Sequence, residues 1–514
     1  MDKKFYITTP IYYVNDVAHI GHAYTTVSAD CLARYKRLKG FRVLFLTGTD
    51  EHGQKVEKAA AAVGKTPQAL ADTVVVRFQE LWKVLNISND DFIRTTEERH
   101  KKAVTHLWKE VAKSGDIYLG DYEGLYCTPC ENFLTEMQLD DKGNCPDCGR
   151  ACEPLKEPSY FFRLSKYGER LLSHIEENPD CIGPKVRRNE ITSFLKEGLR
   201  DISISRTSFS WGVPVPGDPK HIMYVWFEAL TNYLTATGYP DEKYKEFWPA
   251  DVHVVGKDIV RFHAVYWPAF LMGAGIEVPR KVFAHGWWTV EGEKMSKSKG
   301  NVVDPFKVCE EYGVDQFRYF LMREIPFGGD GDFSIDALKG RINSELANDL
   351  GNLLSRTVSM IAKYREGVSP ERCESVETPE LEGSLQKEFE ILAAAIDGHF
   401  GKLSFSRALE DIWKVVRELN AYVDKTAPWQ VAKSDDDDAL SNILYTLREG
   451  LRIVAVYVYP FMPEAAANIW RQIGVEKNIE DCCFDDEIKW GKESGGVKVD
   501  KGAALFPRIE EAKV

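Results

Sequence analysis

A pair of imidazoles around a glycine is the first group in this sequence suited to holding a phosphate. His19 and His22 lie three positions apart with Gly21 between them, where a short strand gives way to a helical pattern. Gly21 lets the backbone approach a ligand closely, and the first turn of a helix offers unpaired N–H groups to an anion. The motif favours a phosphate site, although two ordinary surface histidines would also account for it.

A second group concentrates positive charge in a loop. Lys294, Lys297 and Lys299 alternate with the hydroxyls of Ser296 and Ser298, and the stretch has little to bury. A solvated basic loop would explain this segment by itself. Because it follows the paired histidines on the same chain, the two motifs together predict an enzyme that handles the phosphates of ATP.

Four of the eleven cysteines form two Cys-x-x-Cys pairs, Cys127 with Cys130 and Cys145 with Cys148. The pairs are separated by 14 residues, slightly fewer than the roughly 15–20 typical of paired zinc knuckles. Four thiolates suit a tetrahedral zinc ion and leave no open coordination position. We therefore predict one structural Zn²⁺ rather than two redox pairs, with Cys152 as a bystander.

Length and composition limit the class of protein. A chain of 514 residues is too long for one compact core, so about two to four domains are expected. No stretch approaches the ~20 apolar residues of a membrane span and no signal peptide is evident, so we expect a cytoplasmic protein without membrane contact. The net charge of −13 argues against indiscriminate binding of nucleic acid, and such a partner must be recognised by specific residues.

The elements that position these groups follow from the hydrophobic pattern. A strand over residues 4–9, a helix over 21–39 and a buried strand over 43–46 predict a right-handed crossover unit. The α/β pattern resumes with a strand over 253–256, and a helix is predicted over 258–272 before the next strand. Such folds bind ligands beyond the carboxyl ends of their parallel strands.

Two other regions depart from this pattern. Residues 120–219 carry short aromatic strands and the cysteine pairs, which indicates an insertion that splits a nucleotide-binding domain. Beyond residue 336 the apolar positions follow helical spacing and predict an α-helical bundle. No internal repeat is evident.

The two charged motifs, His-Ile-Gly-His and Lys-Met-Ser-Lys-Ser, resemble the signature sequences of class I aminoacyl-tRNA synthetases. Further stretches, from the first strand into the bundle, are similar to the methionyl-tRNA synthetase family in particular. They are residues 9–15 (Thr-Pro-Ile-Tyr-Tyr-Val-Asn), 49–53 (Thr-Asp-Glu-His-Gly), 224–229 (Tyr-Val-Trp-Phe-Glu-Ala), 256–263 (Gly-Lys-Asp-Ile-Val-Arg-Phe-His) and 425–429 (Lys-Thr-Ala-Pro-Trp). Neither signature departs from the family pattern.

The resemblance implies an α/β fold: a split Rossmann-like nucleotide-binding domain with an inserted zinc-knuckle connective domain, followed by an α-helical anticodon-binding bundle. The implied divisions are the first catalytic half (1–118), the insertion (119–222), the second catalytic half (223–293), a signature-loop and stem-contact region (294–345), the anticodon-binding domain (346–480) and a C-terminal extension (481–514). No appended oligonucleotide-binding domain is evident after the bundle, so a monomer is expected.

The resemblance also implies a reaction and its residues. L-methionine would be activated with Mg²⁺-bound ATP to methionyl-adenylate and then transferred to tRNA(Met). His19, His22, Lys294 and Lys297 would be catalytic, with Gly21 and Lys297 binding ATP. The methionine-binding residues would be Ile11, Tyr13, Asp50, Trp226, Ala229, Leu230, Tyr233, Ile259 and His263.

Within that pocket, Asp50 would take the ammonium group and the aromatic residues would surround the thioether. His263 could reach the sulfur, although a histidine in an aromatic helix is more often simply packed. Phe262 and an ion pair between Arg206 and Asp258 would support the pocket from behind. In the bundle, Asn352, Arg356 and Trp429 would read the anticodon of tRNA(Met), because unpaired bases stack on aromatic rings and bond through their edges. A solvated helix face and a core tryptophan are the alternatives.

Two other functions compete with this one. A class I synthetase for another amino acid is the nearer, but the branched-chain enzymes carry a larger insertion, and a cysteine enzyme would hold zinc in its substrate pocket. A non-catalytic relative that binds tRNA or nucleotide is the more distant. The intact signature residues and Asp50 argue against it.

Overall fold

A computed structural model describes residues 3–14, 18–127, 132–134, 139–146, 149–290, 292–294, 302–372, 380–434 and 436–510. The strands are β1 (Lys4–Tyr13), β2 (Arg42–Asp50), β3 (Asp91–Arg94), β4 (Ile117–Cys127), β5 (Asn132–Leu134), β6 (Glu153–Phe162), β7 (Ile182–Gly183), β8 (Ile202–Ser203), β9 (Ser205–Arg206), β10 (Pro214–Val215), β11 (Asp218–Met223), β12 (Val252–Gly256), β13 (Val282–His285), β14 (Trp288–Val290), β15 (Glu293–Lys294) and β16 (Gly331–Phe333).

The α-helices alternate with these strands in the first half of the chain and follow one another in the second. They are α1 (Ile20–Leu38), α2 (Gln54–Ala62), α3 (Pro67–Val84), α4 (Glu98–Lys113), α5 (Gly168–Glu177), α6 (Lys185–Lys196), α7 (Val225–Leu230), α8 (Asn232–Thr235), α9 (Trp267–Gly273), α10 (Pro305–Tyr312), α11 (Val314–Arg323), α12 (Ile335–Arg341), α13 (Asn352–Tyr364), α14 (Glu380–Gly401), α15 (Phe405–Thr426), α16 (Pro428–Val431), α17 (Asp437–Val458), α18 (Pro463–Gln472) and α19 (Phe484–Glu487).

A parallel sheet in the order β3-β2-β1-β12-β13-β7 forms the centre of the N-terminal part of the chain. The predicted crossover unit is confirmed, since β1, α1 and β2 occupy the expected positions. Strand β1 runs to Tyr13 instead of ending at Pro10, and its pairing with β2 shifts register between Thr8 and Ile11. Proline has no N–H to donate to the ladder, which accounts for the shift.

The insertion contributes a separate antiparallel sheet in the order β5-β4-β6-β8. Strands β4 and β6 pair along nearly their whole length, from Ile117 opposite Phe162 to Tyr126 opposite Glu153. The chain thus changes from a parallel to an antiparallel sheet close to residue 120, where the predicted insertion begins, but β7, within that predicted insertion, pairs with the parallel sheet.

The C-terminal half is a helical bundle, as the sequence predicts. Helices α14, α15 and α17 pack side by side, and α13 and α18 pack against α17. The helix-spaced leucines at 346, 350, 353 and 354 are all buried. Together with the parallel sheet, the bundle confirms the predicted α/β fold with a helical C-terminal domain.

The helix predicted over residues 258–272 is interrupted. The segment begins with a 3-10 turn at Lys257–Ile259, widens into a π-helical turn at Phe262–Tyr266 and becomes α-helical only at Trp267. Pro268, at the start of α9, cannot donate the α-helical hydrogen bond to Ala264, which accounts for the wide turn before it.

A buried arginine joins the bundle to the N-terminal part of the chain, which contains the parallel sheet. Arg318 on α11 is fully buried and donates to Asp30 on α1 at 2.7 Å, while Arg34 donates to the same carboxylate oxygen at 2.8 Å. Arg318 also donates to the carbonyls of Pro460 and Phe461, just beyond α17, at 3.0 and 2.9 Å. Helices from both halves thus share one charged junction.

Among the described residues, no helix is both long and apolar enough to cross a membrane.

Candidate active site

The paired histidines form the N-terminal cap of α1, directly after the carboxyl end of β1. The Nδ1 atom of His19 accepts from the Gly21 N–H at 3.1 Å, and the Nδ1 atom of His22 accepts from the His19 N–H at 3.1 Å. The ring centroids are 3.9 Å apart. The sequence folds this way because imidazole nitrogens can satisfy N–H groups that the first helical turn leaves without partners.

These two backbone hydrogen bonds decide which nitrogen of each ring carries a proton. A ring whose Nδ1 accepts a hydrogen bond keeps its proton on Nε2. Burial lowers the pKa of His22 well below its usual value, and His19 adds to the shift, so His22 is neutral near pH 7. The cap therefore presents two Nε2–H donors, which suits phosphate oxygens.

The basic motif begins in a β-hairpin near the same edge of the sheet. Strand β14 follows the carboxyl end of β13, and β15 returns alongside it, with Thr289 paired to Lys294. Strand β14 also pairs in parallel with β16. Lys297 lies outside the described residues, so its placement stays a prediction.

The predicted methionine pocket lies around the ends of β1 and β2. Asp50 is the last residue of β2, is only 4% exposed, and is paired in register with Tyr13 of β1. One hydrophobic cluster contains the apolar and aromatic residues of the predicted pocket. They are Trp226, Ala229, Leu230 and Tyr233, while Ile11, Tyr13 and Ile259 are partly buried and pack against the same cluster.

His263 is held from both sides of its ring. Its Nδ1 lies 2.9 Å from the carbonyl oxygen of Ile259, and its Nε2 lies 2.7 Å from the hydroxyl of Tyr233. Burial lowers the pKa of His263 to about 4, so the ring is neutral near pH 7. A neutral ring that donates from Nδ1 must accept from Tyr233 at Nε2. Both ring nitrogens of His263 thus have protein partners and the ring orients Tyr233, while its contact with methionine stays a prediction.

The residues expected behind the pocket are arranged differently. Phe262 does stack on Trp226, with ring centroids 3.8 Å apart and planes 4° apart. Arg206 and Asp258, predicted to pair with each other, have other partners. Arg206 lies 3.9 Å from Glu157, and Asp258 accepts from the indole N–H of Trp287 at 3.2 Å.

Sequence reasoning missed two buried carboxylates, Glu51 and Glu228, although both lie in stretches that carry the family resemblance. Glu51 accepts two hydrogen bonds from the Arg94 guanidinium, at 2.7 and 3.0 Å. Glu228 accepts from His52 at 3.1 Å and from His100 at 2.7 Å. The His52 contact connects residues 176 positions apart, which no local pattern could reveal.

Half of the cysteine quartet lies within the described residues. Cys127 ends β4, and both Cys127 and Cys145 are fully buried in one small cluster with Leu134. Cys152 packs against this cluster. Cys130 and Cys148 lie outside the described residues, so the four-cysteine site stays a prediction.

Two of the three predicted anticodon residues meet on the bundle. The Arg356 guanidinium lies 5.7 Å from the ring centroid of Trp429 and pairs with Asp424 at 2.9 Å. Trp429 is 39% exposed on the short helix α16, where Ala427 turns the chain with a φ of 42°. Asn352 begins α13 and is exposed.

This combination of a parallel sheet, a histidine-capped first helix and a helical C-terminal bundle is that of a class I aminoacyl-tRNA synthetase. The sequence matches the family described as tRNA synthetases class I (M) over residues 5–154 and 149–358. Residues 373–514 match the anticodon binding domain of methionyl tRNA ligase. The chain belongs to the methionyl-tRNA synthetase family.

Relatives and solved structures agree with this family. The chain is 52% identical to a methionine–tRNA ligase from Caldanaerobacter subterraneus, across all of this chain and 80% of the relative. It is 50% identical to one from Rickettsia felis, across 99% of each chain. The structure of Mycobacterium tuberculosis methionyl-tRNA synthetase in complex with methionyl-adenylate superimposes with a TM-score of 0.94 at 46% identity, covering 98% of this chain and all of the other.

Proposed function

We propose that this chain is a methionine–tRNA ligase. It joins the carboxylate of L-methionine to the α-phosphate of ATP, which gives methionyl-adenylate and releases pyrophosphate. It then transfers the methionyl group to the ribose hydroxyl at the 3′ end of tRNA(Met), and AMP leaves. The relatives that bear this name and the similar structure that holds methionyl-adenylate support the proposal.

The observation that carries the proposal is the meeting of two kinds of group at one edge of the sheet. The His19–His22 cap begins α1 beyond β1, and Asp50 ends the neighbouring strand β2 with the aromatic cluster beside it. Parallel α/β sheets bind ligands at this edge. A donor pair suited to phosphate and a buried carboxylate suited to an ammonium are what the first step requires.

Catalysis of that step is mainly a matter of positioning and charge. Negative charge develops on the phosphate oxygens while the methionine carboxylate attacks. The Nε2–H groups of His19 and His22 donate to these oxygens, and Gly21 lets the backbone come close. We assign Lys294 and Lys297 to the outgoing pyrophosphate, whose Mg²⁺ arrives with ATP.

The methionine side chain occupies the slot lined by Trp226, Ala229, Leu230 and Ile259, with Ile11 and Tyr13 at its wall. Asp50 pairs with the ammonium group. Tyr233 closes the slot. Its hydroxyl donates a hydrogen bond to His263, which fixes the orientation of the tyrosine ring. A hydrophobic slot distinguishes a ligand that lacks one methyl or methylene by only ~1–3 kcal/mol. Homocysteine is therefore the closest competitor.

A zinc ion fits the buried cysteines of the insertion. Cys127 and Cys145, from different Cys-x-x-Cys pairs, lie in one cluster, as two ligands of a single ion must. Together with Cys130 and Cys148 they would hold one Zn²⁺. Four thiolates leave no position for water, so the ion would supply stability to a small subdomain and no chemistry to the reaction.

The bundle is the part of the chain that we assign to the anticodon of tRNA(Met). Trp429 offers a partly exposed ring on which an unpaired base can stack, and Arg356 beside it adds a cation and hydrogen-bond donors. Asn352, one helical turn before Arg356 on α13, can bond the edge of a base. We further propose the domain divisions given above, a monomer and a cytoplasmic location.

Amino-acid-dependent exchange of labelled pyrophosphate into ATP, measured with each of the twenty amino acids and no tRNA, tests the activation step. We expect exchange with methionine alone, because the apolar slot next to Asp50 accommodates an unbranched apolar side chain. Exchange with a different amino acid would support another class I synthetase. The absence of exchange with all twenty amino acids would support a non-catalytic relative.

A further inference from the structure

A buried carboxylate with two imidazole partners lies on α7, the helix that carries Trp226 and Ala229 of the proposed methionine pocket. The Oε1 atom of Glu228 lies 3.1 Å from Nδ1 of His52 and 2.7 Å from Nε2 of His100. The side chains of Glu228, His52 and His100 are 1%, 4% and 0% exposed. His100 is bonded on its other side, where Nδ1 lies 3.1 Å from the hydroxyl of Thr235.

The protons of this cluster are assigned by its geometry. A carboxylate oxygen can only accept, so Nδ1 of His52 and Nε2 of His100 both donate to Glu228. Burial by itself would raise the pKa of Glu228, but the two imidazoles outweigh this effect and hold the pKa below its usual value. The carboxylate is therefore charged near pH 7, and its hydrogen bonds are of the stronger, charge-assisted kind.

The three residues come from the elements that carry the two halves of the pocket. His52 lies two residues after Asp50, in the loop that leaves β2. Glu228 lies on α7 between Trp226 and Ala229. His100 lies on α4, which packs against α8, and α8 carries Tyr233.

The loop after Asp50 has a second set of contacts. Glu51 is held by the Arg94 guanidinium at the end of β3. The indole N–H of Trp211 donates to the Glu51 carbonyl at 2.5 Å, and the ring lies edge-on to His52 with centroids 5.3 Å apart. The loop that follows Asp50 is thus bonded to the sheet through Glu51 and Arg94. Helix α7 is bonded to the same loop through Glu228 and His52.

Helix α7 has six residues. A helix this short is not stable by helix propensity alone, so it depends on its contacts with the rest of the protein. We propose that Glu228 is a positioning residue for methionine, which sets α7, with Trp226, Ala229 and Leu230, at the correct distance from Asp50. This inference rests on the proposed function of the pocket. Glu228 acts through His52 and His100 and does not touch the substrate.

Replacing Glu228 by Gln tests the inference through a split in the kinetic constants. Because both imidazoles bond the same oxygen, the amide oxygen of Gln can still accept from both, but the negative charge is lost and the two charge-assisted hydrogen bonds become weaker, neutral ones. In methionine-dependent pyrophosphate exchange, we expect the KM for methionine to rise about tenfold or more. The KM for ATP and the kcat should stay within about twofold, because the His19–His22 cap is on a different element.

A pair of His52 variants keeps the test informative if Glu228→Gln folds poorly. The amide nitrogen of Asn can occupy the position of Nδ1, so His52→Asn retains a donor toward Glu228 and should keep the KM for methionine close to that of the unaltered chain. His52→Leu removes the donor from a side chain of similar bulk. It should raise this KM as Glu228→Gln does.

Glu345 provides a matched control. It is 5% exposed and accepts from Tyr319 at 2.5 Å and Arg341 at 2.8 Å, in the part of the chain next to the bundle. Glu345→Gln should lower the melting temperature and leave the KM for methionine unchanged. An unchanged KM in Glu228→Gln and His52→Leu, or an equal rise in Glu345→Gln, would overturn the inference. If the unaltered chain exchanged with another amino acid, the proposed function would fail instead.

Discussion

Lys297→Ala is expected to slow methionine-dependent pyrophosphate exchange by about 10²–10³-fold or more. The ammonium group of Lys297 is assigned to the β- and γ-phosphates, where charge accumulates as pyrophosphate departs. Because this stabilisation matters most in the transition state, the loss should fall on kcat, with a smaller change in the KM for methionine. Exchange at saturating methionine and ATP measures it.

Lys307→Ala is the control for this variant. Lys307 is exposed on α10 a short distance along the chain, so its removal changes the net charge equally without touching the signature motif. Exchange by Lys307→Ala should stay close to that of the unaltered chain. Near-normal exchange by Lys297→Ala would remove Lys297 from the mechanism and leave the phosphates to the His19–His22 cap.

Arg318→Met is expected to cost about 3–5 kcal/mol of unfolding free energy, the range for breaking a buried ion pair. Methionine is similar in length, but it leaves the carbonyls of Leu85, Pro460 and Phe461 without this donor. Urea unfolding followed by tryptophan fluorescence measures the loss. Arg471→Met is the matched control, because the Arg471–Asp500 pair is exposed and such pairs contribute only ~0–1 kcal/mol.

The same variant should change the response to acid. Burial alone would raise the pKa of Asp30, but Arg34 and Arg318 lower it to about 2, below its usual 3.8. A carboxyl group with a lowered pKa contributes stability above its usual pKa and loses it as the pH falls toward 2. Without Arg318 this pKa rises, so acid unfolding should begin at a higher pH. Equal acid sensitivity of Arg318→Met and Arg471→Met would contradict the assignment.

The main elements of the fold could be predicted because local patterns determine them. The run Val43-Leu44-Phe45-Leu46 predicts a buried parallel strand, and the helix-spaced leucines after residue 346 predict a bundle. The prediction of one continuous helix over residues 258–272 was wrong in detail, since a pattern of apolar positions does not distinguish an α-helical turn from a π-helical one. Pro268 was the one residue in this stretch that indicated an interruption, because proline cannot donate an α-helical hydrogen bond.

Contacts between residues far apart in the chain were harder to predict from the sequence. Nothing in the local sequence links Glu228 to His52 and His100, or Arg318 to Asp30, since these partners are 128 to 288 positions apart. The predicted pair of Arg206 with Asp258 failed for the same reason, because spacing cannot tell which of several acidic groups the fold brings nearest. The placement of His19, Gly21 and His22 at the start of α1 was predictable because the three residues are neighbours at the junction of a predicted strand and helix.

Charging of tRNA(Met) with labelled methionine tests the central claim most directly. With ATP present, the chain should form an acid-precipitable methionyl ester at the 3′ end of a tRNA(Met) transcript. A transcript with an altered anticodon should be charged far less efficiently, because Trp429 and Arg356 would lose their bases. Failure of the folded protein to attach methionine to tRNA(Met), or attachment of a different amino acid in its place, would contradict the account.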